Sequence, residues 1–63
     1  MNQKLIRRQA VEVTTGLSRS SIYAMMSDNS FPRPIRIGKR AVAWREGDIA
    51  AWIEQRSAES RAS

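Results

Sequence analysis

The chain has neither cysteine nor histidine. Without thiols it forms no disulfide, and without thiolate or imidazole it lacks the usual ligands of a protein zinc site. The same absences remove one of the usual enzymatic nucleophiles and the commonest acid–base group. The serines, carboxylates, lysines and Tyr23 that remain make no Ser-Lys or paired-carboxylate arrangement that so small a core would hold in a pocket. Glycine is scarce: Gly16, Gly38 and Gly47 stand alone, so there is no glycine-rich loop to cradle a phosphate. No enzyme is expected, and no cofactor, metal or small-molecule substrate. Nor is there an apolar run long enough to span a bilayer, or a secretory hydrophobic region, so a cytoplasmic protein with no membrane partner is expected.

What is present fits one small domain of 63 residues, 41% hydrophobic and 27% charged, whose core alone must offset the chain entropy. Eleven cations face six acids for a net charge of +5, and nine of the eleven are arginine, the side chain whose planar fork suits phosphates and guanine edges. The distribution is uneven. Residues 1–45 carry a net +7 and residues 46–63 a net −2, so the basic character belongs to the body of the domain and not to a tail. Folding gathers that charge on a surface where a polyanion can dock; a merely solvated basic face is the alternative.

Leu5-Ile6 suits a short extended stretch, and Gln9 to Thr15 places Ala10, Val11 and Thr14 on one face at helical spacing. Gly16 ends this helix and Leu17 follows as a plug for the core. Ser18 is a good N-cap for a second helix spanning about 18–27, whose buried face is Ile22, Met25 and Met26. Two helices joined by a short turn containing glycine match a helix-turn-helix, although any compact helical hairpin has the same spacing. The first few residues and the segment 57–63, which has no large apolar residue, are expected to fray, leaving an ordered core of about 5–56.

Phe31-Pro32-Arg33-Pro34 cannot be helical. Beyond it, Ile35 to Trp44 reads as a hairpin. A two-residue turn at Gly38-Lys39 pairs Ile37 with Arg40, Ile35 with Val42 and Arg33 with Trp44, which collects Ile35, Ile37, Val42 and Trp44 on one face. In that register Arg33, opposite Trp44, is set for a cation–π contact. The tip carries Lys39 and Arg40 as a basic finger. A third helix begins near Glu46, with Glu46 and Asp48 at its positive end and Ile49, Trp52 and Ile53 as an apolar stripe that closes the core. Both tryptophans stand in register with apolar neighbours, which favours packing over base stacking, and Met25-Met26 reads as core filler.

Thr15 to Tyr23, followed by Phe31-Pro32-Arg33-Pro34, Gly38-Lys39-Arg40, Trp44 and Ala51-Trp52-Ile53, resembles the AlpA family of phage regulatory proteins over roughly residues 5 to 56. That family is akin to small excisionases and to the DNA-binding part of MerR-type regulators. The resemblance implies an α+β winged helix-turn-helix: two N-terminal helices, a β-hairpin wing at 35–44 and a C-terminal helix. It also implies a bacterial, nucleoid-associated regulator of prophage or satellite genes, in some relatives with an excisionase role in DNA recombination. The second helix would enter the major groove and the wing would touch the backbone or minor groove. Mapped onto this sequence, Arg19 and Ser20 lie at the start of the recognition helix with Ser18 and Ser21 beside them, and Arg19 is the first choice for reading guanine. Arg36, Lys39 and Arg40 become the wing contacts. Tyr23 has two readings, a hydroxyl donated to phosphate or a half-buried core ring. The chain departs from the family at Ala24, where relatives often carry a basic residue.

Two classes of function therefore stand: a sequence-specific binder of double-stranded DNA, placed singly or beside further copies of itself on adjacent sites, and a small protein-interaction module that inhibits another regulator. No coiled-coil heptads are present to drive dimerisation.

Overall fold

The computed structural model describes residues 4–62. The extreme N-terminus expected to be loose, 1–3, and Ser63 lie outside the described residues. In chain order the elements are β1 (Leu5–Ile6), α1 (Arg8–Thr15), α2 (Arg19–Ser27), β2 (Ile35–Arg36), β3 (Val42–Arg45) and α3 (Glu46–Ala62). The three strands form an antiparallel sheet in the order β1-β3-β2, and with three helices they make a small α+β fold with the architecture of a winged helix-turn-helix.

The helical pair is built as its sequence dictates. α1 ends where Gly16 turns left-handed at φ 75° and its N–H donates to Glu12 O at 2.8 Å, a conformation that costs glycine no Cβ clash. Ser18 caps α2: its Oγ accepts from the Ser21 N–H at 3.2 Å. Ile22 is fully buried, Met25 and Met26 pack against the core, and Leu17 plugs the turn between the helices. One detail of α1 differs from its sequence pattern. Val11 is buried but Ala10 and Thr14 are exposed, and the inward position one turn after Val11 is Thr15, whose hydroxyl donates to Val11 O at 2.7 Å. A helix of two turns touches the core through a narrower stripe than the apolar pattern suggests.

The core consists of Val11, Ile22, Phe31, Trp44 and Ile49, drawn from all three helices, β3 and the connector between α2 and the wing. Both tryptophans belong to this packing, Trp44 wholly buried and Trp52 half-buried against it. Their rings flank Phe31 edge-on, at centroid distances of 6.4 Å for Trp44 and 4.9 Å for Trp52, an edge-to-face geometry that aromatic quadrupoles favour. Their indole N–H groups tie down the connector from α2 to the wing: Trp52 Nε1 donates to Ser30 O at 2.8 Å and Trp44 Nε1 to Pro32 O at 2.9 Å. The connector also holds the left-handed Asn29, φ 64°, a residue type that tolerates that region.

The hairpin register differs by one residue from the expected one. Ile35 faces Ala43, Arg36 faces Val42, and Ile37 N–H donates to Ala41 O at 2.9 Å, so the turn is the three-residue loop Gly38-Lys39-Arg40 rather than a two-residue turn. β1 explains the shift. It pairs with the other side of β3, Ile6 against Trp44, so the face turned to the main core cluster is that of Ile6, Val42 and Trp44, and alternation then puts Ile35 and Ile37 on the opposite face beside the buried Ala43. Ile37 is accordingly 44% exposed. The contact expected between Arg33 and Trp44 does not form. Trp44 is buried and bonded to Pro32, and Arg33 Nη2 donates instead to Asn29 Oδ1 at 3.0 Å.

α3 carries Glu46 and Asp48 in its first turn, with Ile49 buried and Trp52 and Ile53 packed on the core. It continues as helix through 57–62, the segment expected to fray. Ala58, Glu59 and Arg61 are good helix formers, and Arg56 stands 4.0 Å from Glu59 one turn on. No helix among the described residues is long and apolar enough to cross a membrane.

Candidate nucleic-acid interface

α2 and the wing supply two groups of candidate residues. On α2, Ser18, Arg19, Ser20 and Tyr23 are exposed and Ser21 is half-buried. This follows from the helical period: with Ile22 inward, positions 19, 20 and 23 fall on the outer arc. The cap at Ser18 fixes the chain direction just before Arg19, and its own hydroxyl donates to Ser21 Oγ at 3.0 Å. Ser18 and Ser21 thus form a local pair at the helix start.

Arg19 and Tyr23 lie one turn apart, and the guanidinium carbon rests 5.6 Å from the centroid of the Tyr23 ring. Cation–π attraction and the i,i+4 geometry of the helix both favour this arrangement. Tyr23 is 41% exposed and makes no hydrogen bond among the described residues, so its hydroxyl is open to solvent. Its ring therefore serves as a platform for Arg19, a role that the i,i+4 spacing in the sequence signals.

In the wing, Arg36, Lys39 and Arg40 are all exposed. Lys39 and Arg40 stand in the loop itself. Arg36 lies at the end of β2 and turns its guanidinium onto the loop, Nε donating to Gly38 O at 3.2 Å and Nη2 to Lys39 O at 2.8 Å. Three of its five N–H donors are left over. Sequence reasoning did not find this clasp, because it depends on the three-residue loop.

Arg8 and Arg56 are ion-paired among the described residues, and these four cations are not. The ion pairs among the described residues are Arg8 with Glu12, at 2.6 Å, and Arg56 with Glu59. Arg19, Arg36, Lys39 and Arg40 have no acidic partner among the described residues, so their field is uncompensated at short range. No hydrogen bond or ring contact links the α2 group to the wing group; both are anchored on one core, α2 through Ile22 and the wing through Val42 and Trp44. No cluster of acidic, histidine or cysteine side chains able to hold a metal occurs among the described residues.

The model of the prophage CP4-57 regulatory protein (AlpA) family matches residues 4–57. The chain belongs to that family. Among similar proteins, the uncharacterized protein ORF88 of Enterobacteria phage P4 is 34% identical over 56 residues, covering 89% of this chain. The chain spans 64% of the length of that phage protein. The DNA-binding transcriptional activator AlpA of Escherichia coli K12 is 32% identical over 59 residues, covering 84% of each chain. The AlpA-family match takes in α1, α2, the wing and most of α3, so both groups of candidate residues fall inside it.

Proposed function

We propose that this chain binds a specific sequence of double-stranded DNA and regulates genes of the prophage or mobile element that carries it. In this reading the first turn of α2 enters the major groove, where Arg19 reads guanine with Ser20 and Ser21 beside it. Ser18 and Tyr23 contact the backbone, and the wing built by Arg36, Lys39 and Arg40 lies on phosphates or in the minor groove. The observation that carries the reading is the exposed, capped start of α2 bearing an Arg19 with no acidic partner among the described residues. Family membership, with a relative that is itself a DNA-binding transcriptional activator, supports it. The output assigned is activation of integrase and excision genes. Binding at an attachment region, with copies side by side on adjacent sites, adds an excisionase role.

Fluorescence anisotropy against duplexes tiled across the element's promoters and attachment regions, at several salt concentrations and with random duplex as competitor, tests this. Saturable binding to one tile, preferred over random DNA and weakening with salt, is the expected result. Arg19→Ala then lowers affinity for the specific tile by ~1–3 kcal/mol and relaxes discrimination against random duplex. Lys39→Ala weakens every duplex alike and reduces the salt slope by about 0.9. Equal weak binding to every tile, lost near physiological salt, would overturn the reading in favour of a protein-interaction module.

A further inference from the structure

We propose that the wing tip is a phosphate receptor built from backbone amides, and that Arg36 is the positioning residue that shapes it. The inference rests on the duplex-binding reading and names the part of the wing that would take a phosphodiester.

Arg36 holds two carbonyls, those of Gly38 and Lys39. Both belong to trans peptides, since no cis bond occurs among the described residues. In a trans peptide plane the C=O and the N–H point in opposite directions. Turning the Gly38 and Lys39 carbonyls onto the guanidinium therefore turns the N–H groups of Lys39 and Arg40, which share those planes, to the other side of the loop. Neither N–H has a hydrogen-bond partner among the described residues, and both residues are exposed. Successive N–H groups presented on one side of a turn make a concavity that accepts an anionic oxygen. Here the side chains flanking it are those of Lys39 and Arg40, neither ion-paired among the described residues.

The division of labour follows from side-chain chemistry. A planar fork spans two successive carbonyls at once, whereas an ammonium is a point donor on a flexible stem. Arg36 gives the receptor its shape, and Lys39 and Arg40 give it charge. The ligand class is the phosphodiester of a duplex backbone, so the site adds affinity for any sequence and leaves base discrimination to α2.

The test is an amide NMR titration of the isotope-labelled full chain with the duplex selected by anisotropy, run on the parent and on Arg36→Lys. In the parent, the Lys39 and Arg40 amide resonances are expected to shift on binding along with those of the first turn of α2. Arg36→Lys preserves net charge; it is expected to abolish the two wing shifts and to weaken specific and random duplex alike, by about tenfold, with little change in salt slope. Unmoved Lys39 and Arg40 amides in a parent whose α2 amides do shift would overturn the receptor and leave duplex binding standing. Parental affinity in Arg36→Lys would do the same. If no amide moves at low salt, duplex binding itself fails and the receptor with it. The parent titration decides the matter even should the variant lose its fold.

Discussion

Replacing Ser18 by alanine removes the acceptor for the Ser21 N–H, a bond of 3.2 Å at the start of α2. The site is exposed, so the orphaned amide regains water, and the loss is that of an N-cap, about 1 kcal/mol. A domain of this size without disulfide or metal rarely holds more than about 3–5 kcal/mol in total. The cap is therefore a substantial fraction of the whole, and the melting temperature is expected to fall by about 4–8 °C. Circular dichroism melts of the parent, Ser18→Ala and Ser18→Asp read this directly. Aspartate keeps the acceptor and places a negative charge at the positive end of the helix, so Ser18→Asp is expected to melt near the parent temperature. On DNA the order changes. A carboxylate beside Arg19 repels phosphate, so Ser18→Asp is expected to bind duplex more weakly than the parent despite its retained stability. Equal melting of the parent and Ser18→Ala, or a Ser18→Asp variant as unstable as Ser18→Ala, would refute the capping account.

Two further stability measurements probe the fold. Ile22 is fully buried among the core side chains, and Ile22→Ala is expected to cost ~2–5 kcal/mol, enough to leave much of the population unfolded at 25 °C in a urea titration; a loss below about 1 kcal/mol would mean that the core refills the cavity. Gly16 has φ 75° and open space where a Cβ would stand, so Gly16→Ala carries backbone strain without a clash. It is expected to cost ~1–2 kcal/mol, with Gly16→Asn closer to the parent, and equal losses for the two would contradict the left-handed cap.

The elements set by local chemistry were readable from the residues that form them. Gly16 and Ser18 mark a helix end and a helix start because each meets a backbone requirement within a few residues of itself. Glu46 and Asp48 mark the start of α3 for the same reason, through the helix dipole. The exposed outer arc of α2, with Arg19, Ser20 and Tyr23, follows from placing Ile22 inward, so that half of the candidate interface was legible in the pattern.

The register of the wing was not, since it depends on a partner distant in sequence. Ile35 and Ile37 alternate as if they faced the core, but β1 pairs with β3 from the other side and Ile6 meets Trp44, which assigns the inner face to Val42 and Trp44. A period of two leaves the choice of face open, and a third strand makes it. The one-residue shift lengthens the turn to Gly38-Lys39-Arg40 and brings its carbonyls onto Arg36. Arg33 likewise found Asn29 instead of Trp44, whose ring is wholly buried in the core. Composition, charge and local signals thus determined the helices, the basic surface and the residues available to meet a polyanion. Tertiary packing decided which face of the hairpin is buried and what each wing arginine holds, because those depend on contacts between segments that local sequence periodicity cannot register.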